Sequence, residues 1–141
     1  MERVRIADLG QDWRNLLDRA RSARQSAYAP YSRFAVGAAV RTRNGKIYTG
    51  ANIENAAYGL TVCAERVALW KAVSEGEREF EALALVTDTG SMPCGSCRQV
   101  MAEFASGLSL LIADPEGMAW LTSASELLPH AFSGEDLDGE R

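Results

Sequence analysis

The sequence predicts an α/β protein, a five-stranded sheet covered by helices on both sides. Apolar residues at helical spacing alternate with short β-leaning runs, giving the order αββαβαββα. The run EALALVT, residues 81–87, is apolar almost throughout, as in a central strand with both faces covered. At 141 residues the chain is long enough for one core and needs no second. Residues 1–132 therefore read as one domain, and residues 133–141 as an acidic tail.

Trp13, Leu16, Leu17 and Ala20 predict an amphipathic surface helix over residues 12–28, with Asp12 as N-cap and Pro30 enforcing its end. Arg14, Arg19, Arg21 and Arg24 fall on its wet face. FAVGAAVRT and KIYTGANI read as antiparallel strands within residues 34–53, and Asn44-Gly45 between them is expected to take the positive φ angles of a tight hairpin. From Val62 to Glu75-Gly76, Ala64, Val67, Ala68, Leu69, Trp70, Ala72 and Val73 point almost all round a helix, which predicts burial between layers.

After DTGSMP, the residues Cys97, Val100, Met101 and Phe104 follow the i, i+3, i+4, i+7 pattern of an inward-facing helix that begins near Cys94. LSLLIA and MAWLT give two more strands around the turn DPEG. SASELL makes a short helix capped by Ser123 or Ser125, and SGEDLDGER is expected to pack loosely.

A net charge of −4 and a pI near 5.0 give no general attraction for a phosphate backbone, so a small-molecule partner is expected rather than nucleic acid. No apolar segment follows Met1, and no run approaches a membrane span, which makes the cytosol the expected address. Thiols stay reduced there, and an odd count of three argues against a disulfide framework. Metal ligation or catalysis is the better use of these cysteines.

Cys63 stands in CAE, and Cys94 and Cys97 in PCGSC, each group at the start of a predicted helix where backbone N–H groups favour a thiolate. If the two helix starts face one another, three sulfurs converge. A tetrahedral zinc ion would then keep its fourth position for water, the mark of a catalytic site. Glu65, in the first turn of an apolar helix, is placed to move protons beside such a water. Arg66, three residues after Cys63, can donate to thiolate sulfur and withdraw charge from the metal. Alone, C-x-x-C also fits a redox pair or a structural zinc knuckle; C-A-E upstream and Pro93 directly before the pair point to the three-cysteine zinc deaminase pattern.

At these residues the sequence resembles the cytidine deaminase family, in its short, homotetrameric, three-cysteine branch. YAPYSRFAVGAAV, GANIENAAYGLTVCAERVAL, KAVSEG, PCGSCRQVMAEF and ELLPHAFS fit the family pattern in order, across nearly the whole chain. The resemblance implies a three-layer α/β/α sandwich with a mixed five-stranded sheet and one Zn2+ per subunit on Cys63, Cys94 and Cys97. It further implies Glu65 as proton shuttle in the hydrolysis of cytidine and 2′-deoxycytidine, within pyrimidine salvage.

By the same resemblance, Asn52 and Glu54 hold the ribose and Phe34 packs on the base. Ala64, Tyr58 and Phe132 line the site, Phe132 from a neighbouring subunit of a homotetramer. Plainer roles stand beside these: Phe34 as a strand core residue, Asn52 and Asn55 as turn formers, Glu54 as a solvated acid. Ser96 and His130 replace the alanine and glycine common in the family; Ser96 fits either a donor to sulfur or a helix cap. Rival functions are a blasticidin S-type nucleoside-antibiotic deaminase, a polynucleotide editor and a non-enzymatic zinc-stabilised interaction module.

Overall fold

A computed structural model describes residues 1–138. The strands β1 (Glu2–Arg5), β2 (Gly37–Thr42), β3 (Ile47–Ala51), β4 (Phe80–Val86), β5 (Ser109–Ala113) and β6 (Met118–Ser123) form one sheet in the order β1-β6-β5-β4-β2-β3. The sheet is mixed, since β4 and β5 run parallel while every other neighbouring pair is antiparallel. It has six strands rather than five: ERVR carries little apolar alternation to announce a strand, yet it pairs along β6 at the sheet edge.

The strands sort their side chains by the period of two. Ala38, Val40, Leu83, Leu85, Leu110 and Ile112 face the helices α2 (Ala64–Ser74), α3 (Gly95–Phe104) and α4 (Ala124–Leu127). Ala39, Ala82, Ala84, Leu111 and Ala113 face α1 (Gln11–Arg24) on the opposite side, where Leu16, Leu17 and Ala20 complete the core. The small residues on that face let α1 lie close: a Cβ on Gly37 would stand 2.1 Å from the Ala20 carbonyl oxygen.

The connections bring the two cysteine-bearing segments together. β3 is antiparallel to β2 and β2 to β4, so β3, β4 and β5 all point one way. The chain steps from β3 to β4 to β5 in one direction along the sheet, and right-handed crossovers put both connecting helices on one face. Both helices begin at the carboxyl ends of the preceding strands, which sets their N-termini side by side. Gly50 fixes the height of α2 over β3, because a Cβ there would meet the Ala64 carbonyl and the Ala68 amide at 2.6 Å.

Several local expectations are corrected. α1 is capped by Gly10, with Asp12 in the first turn, and ends at Arg24. In the hairpin turn only Gly45 has positive φ, at 88°, while the Asn44 side chain accepts from Thr42 Oγ1. α2 is not buried all round: Trp70 is 46% exposed although Ala68, Leu69 and Ala72 are sealed. Ser123 caps α4 by accepting from the Glu126 amide. Within the expected tail, Gly134–Asp138 forms a short helix, α5, and residues 139–141 lie outside the described part.

Candidate active site

Cys63 is the N-cap of α2 and Cys94 the N-cap of α3, both in extended backbone. Cys97 lies one turn into α3, its amide donating to Cys94 Sγ at 3.5 Å. Sγ of Cys63 and Cys94 are 3.8 Å apart, Sγ of Cys94 and Cys97 3.4 Å, and all three lie within 4.8 Å of one another. Tetrahedral zinc–thiolate bonds place ligand sulfurs about 3.8 Å apart, so the spacing suits one zinc ion.

The charge balance also suits a cation. Cys63 has its thiol pushed down to about 5, chiefly by the hydrogen bond with Cys97 and also by Arg66. Cys97, bonded to Cys63 and buried, is pushed the other way. One thiolate thus raises the penalty on the next, and holding three together requires a positive ion among them. The trio Cys63, Cys94 and Cys97 fits zinc in geometry and in donor chemistry.

Glu65 is 3% exposed, and burial pushes its carboxyl from an ordinary 4.5 to about 7, with the neighbouring Cys63 charge adding to the rise. Arg66 donates from Nη2 to Cys63 Sγ at 3.4 Å, while its Nε is buried without a hydrogen-bond partner. Ala64 is the first residue of α2, so its buried methyl faces the core and its N–H has no intrahelical acceptor.

Cys63, Glu65 and Cys94 open onto a cavity of about 270 Å³ whose wall also includes Phe34, Asn52 and Glu54. Asn52 spans the entry to β2: its Oδ1 accepts from the Val36 amide at 2.8 Å and its Nδ2 donates to the Phe34 carbonyl at 2.7 Å. Glu54 accepts from the amides of Tyr31 and Ser32, at 2.9 and 3.1 Å, and from Ser32 Oγ. Those bonds, the Ser32 hydroxyl first, hold its carboxyl below the usual range. Asn55 is a turn former, its Oδ1 accepting from the Ala57 amide at 2.8 Å.

Residues 11–110 match the family model described as the cytidine and deoxycytidylate deaminase zinc-binding region. The chain belongs to the cytidine and deoxycytidylate deaminase family. A family member from Sporosarcina psychrophila named cytidine deaminase is 50% identical over 129 residues, covering 89% of this chain and 95% of its own. One of the same name from Halalkalibacterium halodurans is 50% identical over 130 residues, 90% of this chain and 98% of its own. The crystal structure of cytidine deaminase from Burkholderia pseudomallei, at 46% identity, superposes with a TM-score of 0.83 over 88% of this chain and all of that one.

Two aromatic residues expected at the site lie away from the cavity of their own chain. Tyr58 is 75% exposed and meets Tyr31 edge to face, with ring centroids 6.1 Å apart. Phe132, 58% exposed, borders a separate groove with Val100, Phe104 and Leu137. His130, two residues before it, holds a φ of 55°, a conformation that favours glycine. Ser96 does not cap α3, because Cys94 takes that position.

Sequence reasoning passed over Ser32 and Arg98. Ser32 lies in the YAPYS stretch, read only as a helix stop, yet it anchors Glu54 and accepts from the Phe34 amide at 3.0 Å. Arg98 donates to the Pro93 carbonyl at 2.8 Å and the Leu127 carbonyl at 2.9 Å, tying the residue before Cys94 to the end of α4. An arginine directly after the second cysteine of C-x-x-C was the available signal.

Proposed function

We propose that this chain catalyses the hydrolytic deamination of cytidine and 2′-deoxycytidine to uridine and 2′-deoxyuridine with release of ammonia. The observation that carries the reading is a trio of converging sulfurs, two of them in the wall of a cavity that also carries the buried carboxyl of Glu65 and polar groups suited to a sugar. A zinc ion on Cys63, Cys94 and Cys97 supplies Lewis acidity, which makes water a competent nucleophile near neutral pH.

The chain's own groups do the rest. Glu65 takes a proton from the attacking water and passes it to N3 of the pyrimidine as C4 becomes tetrahedral; it then takes the proton of the new C4 hydroxyl to the 4-amino group, so that C4=O forms, the C4–N bond breaks and ammonia leaves. Burial raises the Glu65 carboxyl above its ordinary value, which suits it to accept and return a proton. Arg66 draws charge from Cys63, and the positive ends of α2 and α3 offset the remaining negative charge.

Phe34 packs on the base. Glu54 and the second N–H of Asn52 take the ribose hydroxyls, and the N–H of Ala64 takes an acceptor on the ring. Tyr58 and Phe132, exposed aromatic side chains beyond reach of their own cavity, complete a neighbour's site in a homotetramer. Three free thiols and the nucleoside substrate fit a cytosolic enzyme of pyrimidine salvage.

The deciding assay compares kcat/KM for cytidine and blasticidin S on zinc-loaded protein, with zinc counted per chain. One zinc per chain and uridine appearing in step with ammonia are expected. Negligible cytidine turnover by protein carrying its zinc overturns the assignment.

A further inference from the structure

We infer that Trp70 is a positioning residue for the metal centre, its indole face holding the Arg66 guanidinium against Cys63 Sγ. The inference rests on Cys63 being a zinc ligand. Residues 66 and 70 are one helical turn apart, so their side chains share a flank of α2. The guanidinium carbon of Arg66 lies 5.8 Å from the Trp70 ring centroid, within the roughly 6 Å over which an aromatic face attracts a cation.

Two observations indicate that this contact has a task. A flexible arginine anchored through sulfur alone, by the 3.4 Å bond from Nη2 to Cys63 Sγ and a further interaction with Cys97, still has competing rotamers. Its Nε–H is buried with no hydrogen-bond partner, so the cation–ring attraction to Trp70 is the further contact that holds the guanidinium. Trp70 itself remains 46% exposed on a helix whose Ala68, Leu69 and Ala72 are sealed in the core, so packing against its own chain accounts for only part of its surface.

Arg66 reaches the sulfur, and Trp70 acts only through Arg66. Without the indole, the guanidinium samples rotamers that leave Cys63, and the sulfur loses the hydrogen-bond donor that holds and supports it from behind. Groups that support a metal ligand from behind typically change metal affinity or activity by roughly ten- to a hundredfold when removed. A partner one step further out, worth an exposed cation–π contact, should change it by about two- to fivefold.

The test measures the rate at which the zinc-loaded protein yields its metal to excess chromogenic chelator, alongside subunit assembly by sedimentation. Trp70→Leu and, as a second non-aromatic variant, Trp70→Met should release zinc about two- to fivefold faster. Trp70→Phe, which keeps a π face, should restore most of the difference. Arg66→Gln should speed release by about tenfold or more, and adding Trp70→Leu to it should change nothing further. Release from Trp70→Leu at the wild-type rate, or an effect of equal size in the Arg66→Gln background, overturns the inference and leaves Trp70 as a packing or subunit-contact residue. Wild-type protein that binds no zinc overturns the metal reading itself, and that is seen before any variant is compared.

Discussion

The two halves of the cavity wall differ in how their polar groups are satisfied. On the side formed by Ser32, Phe34, Asn52 and Glu54, hydrogen bonds within the chain already hold the Ser32, Asn52 and Glu54 side chains in place. On the side formed by Cys63, Glu65 and Cys94, with Cys97 behind them, polar groups crowd into the starts of α2 and α3 and perturb one another. A wall that is satisfied without a ligand is built to recognise shape. A wall whose charges conflict until an ion arrives is built for chemistry, and that is where perturbed titration gathers.

Removing a sulfur should separate the halves most sharply. Cys97→Ala is expected to lose zinc and to lower turnover by more than the about 10^4-fold at the upper end for a missing proton-transfer group, while circular dichroism stays unchanged. Full zinc occupancy in this variant would break the contrast.

Glu65→Gln is the next largest effect. The amide keeps the shape of the carboxyl and cannot carry a proton, so kcat should fall by about 10^2- to 10^4-fold with zinc content intact. Turnover within threefold of wild type, by roughly the threshold of a conservative change, would remove Glu65 from the mechanism.

The same substitution tests the burial. Because the folded-state value of Glu65 is raised to about 7 from 4.5, the native state binds its proton more tightly than the unfolded chain does. Its contribution is therefore fully present below pH 4.5, fades as the pH rises to about 7, and is level above that. Metal-free Glu65→Gln should gain stability relative to wild type across that window, by about 3 kcal/mol in urea titrations. A flat difference would mean that Glu65 is solvated.

On the recognition side the effects are smaller and fall on binding. Ser32→Ala removes one acceptor for the Phe34 amide and one donor to Glu54, so KM for cytidine should rise roughly two- to tenfold with kcat little changed. A fall in kcat without a change in KM would show that this loop reaches into the chemical step.

The residues that gather at the candidate site were more legible in the sequence than the architecture around them. Cys63, Glu65, Cys94 and Cys97 declare themselves because charge and thiol inside apolar helical patterns have few physical excuses. Glu54 was legible as a residue, but its anchors were not: Ser32 lies far from it along the chain and belongs to a turn defined by backbone bonds. The strand β1 escaped because an exposed edge strand has little to bury and so no alternation to show. The half-exposed Trp70 inverted the expectation for α2, since periodicity registers that a side chain is apolar and not whether a neighbour covers it.

What the sequence determined by itself was local: where helices begin, which strands carry two apolar faces, and which residues could bind a metal or move a proton. That a crossover direction would bring the starts of α2 and α3 to one edge of the sheet, closing three sulfurs to within 4.8 Å, only the tertiary structure decided. Propensity and patterning act over a few residues, whereas the distance from Cys63 to Cys94 depends on strand order, on the absence of a Cβ at Gly50 and on the packing between the two helices.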